Sequence, residues 1–168
     1  MRSAVRIRPE EPQDWPAIRA LIEAVFGSKA EADLVQRLRG DGDLVLSLAA
    51  DDDGPVGHIA FSRLALPETP SARACALAPL TVSPQRQRQG IGSALVREGL
   101  TRLAQGGMDL VLVLGEPDYY GRFGFAPDLA KRLMTPYDGP CLQALALSER
   151  GKAARGPAAY ARAFAELG

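Results

Sequence analysis

The chain has 168 residues, 46% hydrophobic and 24% charged, a balance that suits one folded domain with a buried core and sets aside disordered and fibrous classes. Lysine plus arginine and aspartate plus glutamate each number 20, so no global charge excess draws in nucleic acid or an anionic membrane. No apolar run approaches bilayer length, and "MRSAVRIRPEEP" lacks the apolar region of a signal peptide; together with two cysteines in no metal-ligand or redox spacing, Cys75 and Cys141, this predicts a cytoplasmic protein with buried free thiols.

In "VRIR", apolar residues alternate with arginines, predicting a first strand with Val5 and Ile7 facing inward. "QDWPAIRALIEAVFG" places Trp15, Ile18, Leu21, Ile22, Val25 and Phe26 on one helical stripe, with Asp14 as cap and Gly27 as stop. A second helix follows in "SKAEADLVQRLRG", where Ser28 and Glu31 have capping-box spacing and Gly40 ends the run. "DLVLSLAA" and "VGHIAFSRLAL" read as a hairpin around "DDDGP", a turn taken as solvated, and "ARACALAPLTV" as a further antiparallel strand. Pro79 lacks an N–H, so that strand is expected to be irregular near it.

From Gly90 the period turns helical, with Ile91, Leu95, Leu100 and Leu103 in one run. The almost wholly apolar "MDLVLVLGE" then fits a central strand parallel to the one before the helix, which makes a βαβ unit. "PDYYGRFGF" reads as a short helix opened by Pro117 and ended by Gly124, "CLQALAL" as the final strand, and "GPAAYARAFAELG" as a helix with Pro157 in its first turn and Tyr160, Phe164 and Leu167 on one side.

The hinge of the βαβ unit, "VSPQRQRQGIGSAL", is where chemistry is expected. A strand entering a helix through glycines leaves backbone N–H groups pointing one way, at the positive end of the helix dipole. Gly90 and Gly92 let an anion approach the backbone, and Arg86 and Arg88 add charge, so a phosphate or pyrophosphate is the expected ligand. A Walker loop would need lysine after Gly92, a dinucleotide fingerprint a small residue at Leu95, and a nucleophile elbow glycine at that same position; none fits.

The spacing Gln87-Arg88-Gln89-Gly90-Ile91-Gly92, preceded by Val82 and Pro84 and followed by "YYGRFGF", resembles the GNAT N-acetyltransferases. The motifs span residues 77–125, and the order of elements extends the likeness over about residues 4–147 of a single domain, leaving 148–168 as an extension read as helical. More narrowly, "LGEPDYYGRFGF" looks like a bacterial subgroup of acetyltransferases without an assigned substrate. The resemblance implies an α/β fold with a mixed, twisted sheet, helices on both faces, and a splay between the fourth and fifth strands. It implies acetyl-CoA as cosubstrate, with pantetheine along Leu80, Thr81 and Val82 and pyrophosphate on the hinge at Gln87, Arg88, Gln89, Gly90, Ile91, Gly92 and Ser93. No metal is implied.

The implied reaction is direct attack of a primary amine on the thioester, and the family position of the general acid falls on Tyr120, with Tyr119 left to packing. A phenol, with a reference pKa of about 10, is protonated at neutral pH. The base is open: "ARACALAPL" carries no carboxylate where many members have one, His58 and Glu31 are candidates acting through water, each also readable as structural, and a neutral amine needs neither. The acceptor is a small-molecule or peptide amine, with neither nucleic acid nor membrane as partner, and a homodimer is plausible. A CoA-binding sensor without turnover is the competing expectation.

Overall fold

A computed structural model describes residues 5–166. In chain order the elements are β1 (Arg6–Pro9), α1 (Trp15–Phe26), α2 (Ala30–Gly40), β2 (Leu44–Asp51), β3 (Pro55–Ala65), β4 (Ala74–Val82), α3 (Ile91–Gln105) and β5 (Leu110–Leu114). They continue as α4 (Pro117–Gly121), α5 (Pro127–Ala130), β6 (Leu133–Met134), β7 (Leu142–Ala146), α6 (Glu149–Ala153), β8 (Gly156–Pro157) and β9 (Ala159–Tyr160). The main sheet has the order β1-β2-β3-β4-β5-β7, with β9 joined to β3 and a separate β6-β8 pair. It is mixed, because β4 and β5 run parallel while β5 and β7 run antiparallel. The contacts divide the chain into two units, one of residues 5–61, 79–100 and 162–166, the other of residues 62–78 and 101–161.

In the first unit β1 pairs antiparallel with β2, Arg6 opposite Asp51 and Pro9 opposite Leu48. The stripe foreseen for α1 is present at its centre, where Ile18 and Ile22 pack with Ala32 and Val35 of α2. Its ends are not: Trp15 is 41% and Phe26 42% exposed, because at 100° per residue the end positions of this 12-residue helix fall at the edge of the buried arc. Gly27 closes α1 in the left-handed region (φ 71°), its N–H donating to the Glu23 carbonyl. Both foreseen caps differ. Asp14 makes no cap bond to α1; it accepts the Glu11 N–H at 2.8 Å and pairs with Arg8 at 2.7 Å. Ser28 donates its hydroxyl to the Glu31 carboxylate at 3.0 Å instead of bonding backbone.

α3 is set on β3 by two glycines, Gly57 in β3 and Gly99 in the middle of α3. A methyl on Gly57 would lie 3.0 Å from Ile91 Cγ2, and one on Gly99 would lie 2.6 Å from the fully buried Phe61 ring. A 3-10 turn at Arg162–Glu166 completes this unit, with Ala163 and Phe164 buried and Glu166 paired with Arg37.

In the second unit the β5 run is buried from Leu110 to Val113, as its unbroken apolar sequence demands. Asp109, just before it, is 6% exposed and accepts the Arg73 N–H at 2.7 Å and the Ser148 hydroxyl at 2.6 Å. Its carbonyl accepts the Leu147 N–H at 2.8 Å, fastening α6 to the sheet. The tail corrects the expected helix. Gly156–Pro157 and Ala159–Tyr160 are extended, and β9 pairs with β3 through Leu64–Tyr160 and Ala65–Ala159. Tyr160 packs on the cluster containing Leu64, Leu110 and Leu112, and this tertiary packing overrides the helical propensity of the alanine-rich segment. β7 is therefore not the last strand, and Leu167 of the expected apolar side lies outside the described residues.

Candidate functional site

The hinge leaves β4 through a 3-10 turn at Pro84–Arg86, and the Ser83 N–H donates to the Val56 carbonyl at 2.8 Å. Gln87 is extended, Arg88 is left-handed at φ 65°, Gly90 is left-handed at φ 83°, and α3 begins at Ile91. The Ala94 N–H donates to the Gly90 carbonyl at 3.0 Å, so the helical ladder starts there and the preceding amides form its unladdered N-terminal turn. Alternating backbone handedness ahead of a helix turns successive N–H groups into one concavity, an anion nest. Space around Gly90 is open, so its positive φ is what requires glycine. A cleft of about 480 Å³ lies beside this turn, between Val5 and the β1 residue Ile7 on one side and Gly90, Ile91 and Ala94 on the other.

The polar side chains of the hinge divide sharply. Gln85 accepts the Ser83 hydroxyl at 2.7 Å, Arg86 pairs with Asp52 at 2.9 Å and donates to Gln89 at 3.2 Å, and Gln87 donates to the Val82 carbonyl at 3.1 Å. Arg88 is exposed and bonds no partner among the described residues. Of the residues expected to hold a phosphate, Gln87 and Gln89 thus spend side-chain groups on the hinge itself, and Arg88 is the cation left facing solvent.

Along β4, the parallel ladder with β5 runs from Ala74–Leu110 to Leu77–Val113, and β4 continues past it to Val82. Pro79, where irregularity was expected, lies just beyond that last pair. Leu80 and Val82 are partly exposed on one side; Thr81 points the other way, 1% exposed, its hydroxyl without a hydrogen-bond partner among the described residues. Of the two thiols expected to be buried, Cys75 on the same strand is, and burial pushes its thiol up, which makes it unreactive, whereas Cys141, just ahead of β7, is exposed.

Tyr120 lies in α4, its N–H bonded to the Glu116 carbonyl at 3.0 Å. The ring presses on Gly115, where a methyl would stand 2.5 Å from Tyr120 Cε2. It meets Phe125 edge-on at 5.8 Å and Tyr119 at 5.0 Å. Gln143 Nε2 donates to the Gly115 carbonyl at 3.2 Å and so fixes the corner under the ring. Burial, with Tyr119 adding to it, pushes the Tyr120 phenol up to about 12, so it is protonated throughout the neutral range. Tyr119 carries the Arg122 guanidinium 4.6 Å above its face.

Neither base candidate is free-standing. His58 is fully buried, with Nε2 3.0 Å from Glu10 Oε1 and 2.8 Å from Ser47 Oγ. Glu31 accepts from Ser28. Carboxylate and hydroxyl meet the same imidazole nitrogen, while Nδ1 has no partner among the described residues, so this is not a nucleophile–base–carboxylate relay, which uses both nitrogens. Glu10 carries no motif around it, which is why the sequence did not single it out. Burial pushes its carboxyl up, but bonds from His58, Arg39 and Ser47 outweigh this and hold it at about 2 instead of 4.5. A depressed carboxyl contributes stability that is full above about pH 4.5 and lost as pH falls toward 2, here on the order of 3 kcal/mol. Urea titrations from pH 7 to pH 2.5 are expected to show that loss in the wild type and a flatter dependence in Glu10→Gln; equal slopes would exclude this origin. Among the described residues no three His, Cys, Asp or Glu side chains group as a metal site, and no helix is long and apolar enough to cross a membrane.

A family model described as "Acetyltransferase (GNAT) domain" matches residues 6–127. The chain is 45% identical over 121 residues to YhbS of Escherichia coli K12, named an uncharacterized N-acetyltransferase, covering 71% of this chain and 72% of that protein. The crystal structure of E. coli YhbS in complex with CoA superposes with a TM-score of 0.90 at 34% identity, over 100% of this chain and 96% of that one. A GNAT family acetyltransferase of Brucella melitensis in complex with acetyl-CoA gives 0.81 at 36% identity, over 97% and 99% of the two chains.

Proposed function

The chain belongs to the GNAT acetyltransferase family, and from that premise we propose that it transfers the acetyl group of acetyl-CoA to a primary amine by direct attack, with Tyr120 as general acid. The observation that carries the reading is the nest ahead of α3, where the neighbouring side chains are tied to protein and Arg88 remains for an anion. Pyrophosphate rests on the amides of residues 88–93 with Arg88 over it. The pantetheine amides pair with β4 at Leu80, Thr81 and Val82, past the last β5 pair.

The amine nitrogen attacks the thioester carbonyl carbon, a backbone N–H near Leu80 polarises the carbonyl oxygen, and the C–S bond breaks. The Tyr120 hydroxyl hands its proton to the departing thiolate, the nitrogen sheds one proton to solvent, and solvent returns one to the Tyr120 phenolate, so no proton is gained or lost overall. A phenol near 12 suits a thiolate leaving in the same desolvated surroundings, since burial raises the proton affinity of both. An amine that arrives neutral requires neither His58 nor Glu31; either takes part only through water. The acceptor is a small molecule or a peptide amine.

Calorimetric titration with acetyl-CoA tests the seat. One site per chain is expected in the wild type, and Arg88→Ala is expected to weaken binding about 10- to 100-fold, the range of one or two charge-assisted hydrogen bonds. Unchanged affinity in Arg88→Ala would remove the residue from the seat, and no binding at millimolar cofactor would remove the reading. A second reading, a CoA-binding sensor without turnover, is favoured by one observation: β4 carries no carboxylate, and both His58 and Glu31 are already engaged.

A further inference from the structure

The "DDDG" turn between β2 and β3 is not the solvated loop its composition suggests. Asp51 accepts the Gly54 N–H at 2.9 Å and pairs with Arg8 at 3.2 Å. Asp52 reaches the hinge and pairs with Arg86 at 2.9 Å, and its side chain is only 16% exposed. Of the three aspartates Asp53 is the one left in solvent. We infer that Asp52 is a positioning residue for the cofactor, holding the hinge in its anion-binding shape through Arg86 and Gln89; this rests on the acetyl-CoA reading above.

Arg88 has a left-handed backbone, a conformation a non-glycine residue keeps only when its surroundings hold it. The restraint comes from both sides. Ahead of it, Gln87 Nε2 is bonded to the Val82 carbonyl at 3.1 Å, which ties the hinge to the end of β4. Behind it, Gln89 Oε1 accepts from Arg86 Nε at 3.2 Å, and the other end of that guanidinium is locked to Asp52. The Ser83 N–H bond to Val56 brings β3 alongside, so hinge and hairpin are joined at two points. With Asp52 in place Arg86 is a strut. Without it, Arg86 is a mobile cation, Gln89 loses a fixed donor, and Arg88 is free to relax to the common right-handed region, which scatters the nest amides.

The alternative role for Arg86, direct phosphate binding, makes the opposite forecast. Removing Asp52 would then release Arg86 to the ligand and tighten binding. Calorimetry with acetyl-CoA separates them, using Asp52→Asn, Arg86→Gln and the double variant beside the wild type. The strut predicts that Asp52→Asn and Arg86→Gln each weaken binding by about three- to tenfold, that the double variant is no weaker than either, and that Asp52→Glu recovers most of the affinity. The thermal midpoint of Asp52→Asn is expected within about 2 °C of wild type, since a partly exposed ion pair adds little to folding. Wild-type affinity or tighter binding in Asp52→Asn, or additive losses in the double variant, would overturn the inference while leaving the acetyl-CoA seat intact. Absence of binding in the wild type would overturn the seat itself, and the inference with it.

Discussion

Replacing Tyr120 with phenylalanine is expected to lower kcat by about 10²- to 10⁴-fold, the contribution of a positioned acid, with KM for acetyl-CoA little changed. The substitution keeps the ring and its contacts with Gly115, Phe125 and Tyr119, and it removes only the hydroxyl. Stability is therefore expected to stay close to wild type, which separates a catalytic loss from an unfolding one. The pH profile sharpens the test. A group at about 12 stays protonated until strongly alkaline pH, so wild-type kcat/KM is expected to rise as the acceptor amine deprotonates and to show no descending limb from Tyr120 below pH 11. Full turnover in Tyr120→Phe across the pH range would show that the thiolate takes its proton elsewhere.

Gly151→Ala is expected to cost more than about 4 kcal/mol or to abolish folding of the second unit. A methyl there would stand 1.9 Å from the Asp109 carbonyl oxygen and 3.3 Å from Ala146 Cα, both backbone atoms that no rotamer change can move. That carbonyl already accepts the Leu147 N–H, and the Asp109 carboxylate holds Ser148 and Arg73, so yielding would break the junction of β5, β7 and α6. Gly121→Ala is the control: apart from its chain neighbours and its own helix backbone, no atom of the described residues lies within 4 Å of a methyl there, and its φ is not left-handed. Denaturant titration is expected to find it within about 1 kcal/mol of wild type. Equal midpoints for the two variants would contradict the contact at Asp109.

The β4–hinge–α3–β5 unit was legible because its signals are local. Two glycines, a change of period at Gly90 and the run from Leu110 to Leu114 sit within a few dozen residues. The tail was not legible. Tyr160 and Phe164 have helical spacing, but the segment's conformation is decided by an edge at Leu64 and Ala65 that lies far away in sequence. Trp15 and Phe26 show the same limit on a smaller scale, since a stripe's centre is set by periodicity and its ends by what packs there. In the hinge, the turn glycine Gly90 and the continuation of β4 to Val82 could be read from local pattern. Side-chain commitments could not: Asp52 with Arg86 and Glu10 with His58 are ion pairs and bonds between residues 34 and 48 positions apart, and composition around each partner gives no sign of the other.

The most direct test of the account is thiol release from acetyl-CoA by the wild-type chain across a library of primary amines, with mass analysis of each amine. The account predicts amine-dependent release, one acetyl group gained by the amine for each thiol freed, and loss of both in Tyr120→Phe. Saturable binding of acetyl-CoA with no amine raising thiol release above the background rate would contradict it and establish the chain as a CoA-binding module without turnover.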